Sequence, residues 1–133
     1  MWGALQHPRH FQFYEEFHAG RSEAGEDWQP MVNAVRYLQA HRDASLLFAF
    51  TSLMHFHVTT GPTYAECEGH PYVRITWSYS DRVFRLSFGS CNAGWVDVPS
   101  CDICDEQSFP TAVEPLLQRL FQPTSSNAIA RNA

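Results

Sequence analysis

The sequence predicts an α+β fold, an antiparallel meander sheet of about four strands with an N-terminal helix and a C-terminal helix packed on it. Three observations point there. Residues 27–42 carry apolar side chains at helical spacing, residues 72–88 alternate so that two strands pair about a turn, and residues 111–121 hold a second short helical pattern. The 133-residue chain is 44% apolar and rich in aromatics, enough to bury one core without staples.

The elements follow in chain order. "FQFYEEF" (11–17) fits either a short strand or one or two helical turns, and "HAGRSEAGED" (18–27) has no periodicity and predicts a loop. The helix over 27–42 has Asp27 as its cap and Pro30 in its first turn, where a missing N–H costs little. Its apolar face is Trp28, Met31, Val32, Val35 and Leu38. "SLLFAFTSLMHFHVTT" (45–60) predicts one long strand, bent or bulged. Phe48, Phe50, Met54, Phe56 and Val58 would share one face, and Leu47, Ala49, Leu53, His55 and His57 the other. "TTGPTY" and "ECEGHP" are turns.

"YVRITWSYSDRVFRLSF" (72–88) predicts a hairpin about Ser80–Asp81, and its register checks itself. Trp77 faces Phe84, Ile75 faces Leu86 and Val73 faces Phe88 on one side, while Thr76 meets Arg85 and Arg74 meets Ser87 on a polar side. Ser-Asp is a poor type I′ pair, so a four-residue loop would serve the same register. A short fourth strand carries Trp95, Val96 and Val98, and residues 99–110 read as loop. The second helix, 111–121, buries Val113, Leu116, Leu117, Leu120 and Phe121, with Pro115 near its first turn. This gives one domain over 1–121 and a flexible polar tail over 122–133.

Charge excludes some functions. The formal net charge is -5, and all nine basic residues are arginines, scattered along the chain. Such a chain is a poor partner for nucleic acid or an anionic membrane and attracts a basic protein instead. Lysine-free composition suggests a GC-rich bacterial genome. The opening "MWGALQHPRHFQFYEEF" lacks a signal-peptide pattern, and the expected location is cytoplasmic.

Four sets of residues could carry chemistry. "VPSCDICDEQ" (98–107) places Cys101 and Cys104 three apart. Zinc needs four ligands, and this single pair would have to recruit Cys67, Cys91 or His70. A redox pair wants a depressed thiol pKa, which Asp102, Asp105 and Glu106 oppose. The pair reads instead as small reduced side chains in a loop. His55 and His57 would share a strand face, as a metal or acid–base pair, with a third ligand from His70, Cys67, Glu66 or Glu68. No G-x-S-x-G or glycine-rich phosphate loop occurs. Acids cluster before the first helix and after the last strand. Trp95, Asp97, Asp102, Asp105 and Glu106 together would suit a basic protein partner.

The "YVRITWSYSDRVFRLSFG" hairpin, the preceding "LLFAFTSLMHFHV" strand and the flanking helices resemble, in layout, the small cytosolic immunity proteins of bacterial toxin systems. The resemblance is architectural and has no diagnostic motif, so it transfers no site residues. It implies a non-enzymatic protein that neutralises a cognate toxin, with a basic toxin domain as partner and no cofactor. The alternative is a zinc domain or metal-dependent enzyme built on His55, His57, Cys101 and Cys104. Edge strands of a small meander could also pair into a dimer.

Overall fold

The computed structural model describes residues 2–62, 70–90 and 101–122. A six-stranded antiparallel sheet runs through them in the order β1 (Trp2–Ala4), β2 (Phe48–Ser52), β3 (His55–Thr59), β4 (Pro71–Ser78), β5 (Val83–Ser90) and β6 (Cys101–Cys104). Every strand pairs with its neighbour in sequence. Helices α1 (Arg9–Arg21), α2 (Gln29–Gln39) and α3 (Phe109–Phe121) contribute to one core on one face of that sheet. The α+β meander with helices at both ends is therefore present, with six strands rather than four.

The hairpin about Ser80–Asp81 has the expected register at every pair, including Trp77 opposite Phe84 and Ile75 opposite Leu86. Its connection is the four-residue option, Tyr79–Arg82, closed by Arg82 N–H donating to the Ser78 carbonyl at 2.7 Å. The Trp77 and Phe84 rings meet at 4.7 Å, and Phe109 of α3 lies 4.7 Å from Phe84. Trp77 also ties the sheet to the start of α2, since its Nε1–H donates to the Asp27 carbonyl at 2.7 Å.

Four expectations need correction. Residues 45–60 do not form one strand. A 3-10 turn (Ala44–Leu46) leads into β2, and β2 and β3 form a hairpin through Leu53 and Met54, both with left-handed φ (51° and 69°). A two-residue turn inverts parity between its strands. Ala49, Phe56 and Val58 thus face the helices while Phe50 and His57 share the opposite face. Second, "FQFYEEF" takes the helical option as part of α1, which also takes in the first four residues of the predicted loop after it, His18–Arg21. The buried stripe of α1 is His10 and Tyr14, a polar residue standing in an apolar position. His10 is accommodated because its Nε2–H donates to the Ala4 carbonyl at 3.0 Å, and Tyr14 donates to the Met54 carbonyl at 3.1 Å.

Third, residues 101–104 form β6 rather than loop. Fourth, the helix limits move. α2 has Trp28 at its N-cap, with Asp27 Oδ1 still accepting the Gln29 N–H at 3.0 Å, and α3 begins at Phe109. Pro115 then lies beyond the first turn, on the exposed side of α3, where water can take the freed carbonyl. The expected strand carrying Trp95, Val96 and Val98 and the tail from residue 123 lie outside the described residues.

Candidate functional site

The sheet face away from the helices carries the histidine pair. Trp2 stacks on Phe50 at 3.9 Å, Phe50 stacks on His57 at 4.3 Å, and Tyr72 meets His57 edge-on at 5.3 Å. Tyr72 in turn lies over Gly89 of the neighbouring strand, where a Cβ would come within 2.8 Å of its phenol oxygen. His55 and His57 do share this face, with ring centroids 6.5 Å apart. Each is already engaged. His55 Nδ1 bonds Thr76 Oγ1 at 2.6 Å, and Arg74 Nε donates to His57 Nε2 at 3.2 Å. That contact puts the His57 ring proton on Nδ1.

Burial first, and the Arg74 charge second, push the His57 pKa down to about 3. The same two causes lower His55. A cation beside the pair makes the site unfavourable for a second one.

The cysteine pair is separated by its strand. Cys101 and Cys104 are three residues apart in extended β6, about 10 Å along the chain, whereas a zinc knuckle needs a turn. Cys104 sits in the core opposite Phe84. Burial, then Asp105 and Asp102, push its thiol pKa up, the reverse of a reactive cysteine. Cys67 and Cys91 lie outside the described residues, and His70 bonds Thr60 at 3.1 Å. Among the described residues, no group of three His, Cys, Asp or Glu is placed to hold a metal ion.

The acids after β5 fare differently. Asp102, Asp105 and Glu106 are all exposed, on β6 and the turn that leads into α3, and Ile103 between them is 58% exposed. Asp105 Oδ1 accepts the Ser108 N–H at 2.8 Å. That bond holds its carboxyl below the usual range and fixes the start of α3. Glu106 pairs with Arg82 at 3.3 Å, and Arg82 also pairs with Asp27 at 3.1 Å while lying over Trp77. The Asp27 hydrogen bond leads the causes that raise the Arg82 pKa. One guanidinium therefore ties together the starts of α2 and α3 and the β4–β5 turn. Trp95 and Asp97 lie outside the described residues.

Beside Glu106, α2 and the first turn of α3 border an open cleft of about 220 Å³. Pro30, Asn33, Ala34 and Tyr37 of α2 form one wall, Glu106, Phe109 and Pro110 the other, and Phe84 the floor. Tyr37 and Phe109 meet edge-to-face at 6.0 Å. Just past the end of α2, His41 Nε2–H donates to Glu114 of α3 at 2.8 Å, and Arg42 and Gln118 hold the same carboxylate. His41 Nδ1 accepts the Asp43 N–H, which fixes the tautomer. The His41 bond leads the causes that keep the Glu114 carboxyl below its usual range. This latch sets the spacing of the two helices around the cleft.

Sequence reasoning identified Glu106 but missed Arg82, Tyr37, His41 and Glu114, because only tertiary packing brings them together. Among the described residues, no helix is long and apolar enough to cross a membrane. In comparisons with known proteins, no family model matches the chain, and no curated protein and no solved structure matches it.

Proposed function

We propose that the chain is a non-enzymatic, protein-binding domain of the immunity type, acting in the bacterial cytoplasm to neutralise a basic toxin domain. The observation that carries this reading is the joining of an exposed acidic margin (Asp102, Asp105, Glu106) to a small apolar cleft at the same end of α2 and α3. At about 220 Å³ the cleft falls below the ~300–1,000 Å³ of metabolite sites. It suits one anchoring side chain of a protein partner, surrounded by a charged rim. The histidines fit the same reading, since His10, His18, His41, His55 and His57 each have a ring nitrogen engaged in a hydrogen bond within the fold.

Co-expression tests it. Growth arrested by the product of an adjacent toxin-like reading frame should recover when this chain is present. Recovery should weaken in the Asp102→Asn, Glu106→Gln double variant. Absence of both rescue and a complex with that product at low salt would overturn the proposal.

A further inference from the structure

We infer that the cleft between α2 and α3 is an anchor pocket for a single arginine side chain of the partner, an inference that rests on the protein-binding reading above. Its lining sorts by chemistry. Pro30, Ala34, Phe84 and Pro110 offer apolar contact for an aliphatic stem. Tyr37, 38% exposed, offers ring surface beside the buried Phe109, and Glu106 stands at the rim with a carboxylate. A planar guanidinium uses all three at once. It lays its stem on the apolar wall, stacks on a ring and forks to the carboxylate. An acidic side chain meets Glu106 with like charge, and a lysine lacks the flat face.

The molecule already uses this arrangement internally. Guanidinium groups lie 4.0–5.8 Å from ring centroids at Phe17, Phe11, Tyr72, Trp77 and Phe88. At Trp77 the pattern is complete, with Arg82 over the ring and Asp27 and Glu106 at its edge. The cleft repeats ring and carboxylate, yet among the described residues no arginine lies over Tyr37 or Phe109. Glu106 has capacity for a second guanidinium, since Arg82 donates to its Oε2 and a carboxylate offers about four acceptor sites. Asp27 shares the Arg82 charge, which leaves the rim net acidic.

The test is a nitrogen-15 NMR titration of the intact chain with N-acetyl-arginine N-methylamide. The lysine and citrulline counterparts are run alongside, citrulline being the neutral isostere. Expected shifts centre on Asn33, Ala34, Tyr37 and Phe109, with arginine binding about tenfold tighter than citrulline. Glu106→Gln should bring arginine to the citrulline level. Asn33→Phe, at an exposed position in the mouth, should abolish binding of both while the rest of the spectrum is kept. Equal binding of arginine and citrulline, lysine binding as tightly as arginine, or shifts confined to other regions overturn the inference. A basic protein that binds equally well to Glu106→Gln and Asn33→Phe removes the arginine anchor and leaves the protein-binding reading standing. Arginine bound in the cleft with no basic protein partner supports the anchor and removes that reading.

Discussion

His57 shows how one residue couples the sheet to pH. Its ring is nearly parallel to Phe50, at an interplanar angle of 2°, and accepts from Arg74, so the folded chain holds it neutral. The unfolded chain protonates it near 6.5, whereas the folded pKa is about 3. Between those values the unfolded state binds the extra proton, so stability is full above about 6.5 and falls as pH drops toward 3. One such group gives a slope of at most ~1.4 kcal/mol per pH unit. His10 and His55, lowered chiefly by burial, act in the same direction. Glu114, lowered chiefly by its bond to His41, likewise loses its contribution as it protonates. Urea midpoints should therefore decrease from pH 7 to pH 4.5. His57→Gln, which keeps an acceptor for Arg74, should flatten the decline. A decline of equal steepness in that variant would show that His57 does not carry it.

Among the elements, the β2–β3 hairpin places two consecutive non-glycine residues at left-handed φ, where the β4–β5 turn has one, Arg82. Leu53 and Met54 occupy the two left-handed positions of a type I′ turn, where Asn-Gly is the usual pair. Leu53 is 87% exposed, so its side chain gives little in return. Leu53→Asn should raise stability by roughly 0.5–1 kcal/mol, read as a thermal midpoint higher by about 2–5 °C. An unchanged or lower midpoint would speak against the turn. The same residues explain why this hairpin was illegible in sequence, since nothing in Leu-Met announces a turn and the flanking apolar run continues across it. The β4–β5 hairpin was legible because its aromatic and aliphatic residues fall opposite one another in only one register. α1 was hidden by His10, whose polarity breaks the stripe that Tyr14 continues. β6 was hidden by length, since four residues containing two cysteines and an acid carry no alternation to read.

For the molecule as a whole, charge and shape point the same way. A net charge of -5 steers a basic partner from a distance, and the acids at the α3 end aim it. The association rate with such a partner should fall about tenfold between roughly 0.05 and 0.5 M salt while dissociation changes far less, a contrast that stopped-flow kinetics reads directly. A salt-independent association rate would remove the electrostatic part of the proposal. The acidic residues of the site were visible in sequence. The cleft was not, because Pro30, Tyr37, Phe84 and Phe109 come from three separate elements. Spatial order in the sheet follows chain order from β1 to β6, with consequences during synthesis. Each ribbon leaving the ribosome finds its mate already laid down, and no later segment has to thread between finished ones. Among the described elements, only α3 arrives after the sheet. A nascent chain therefore keeps the ring of Phe84 wet on that side until Phe109–Phe121 has cleared the exit tunnel, which makes this the interval in which a chaperone matters most.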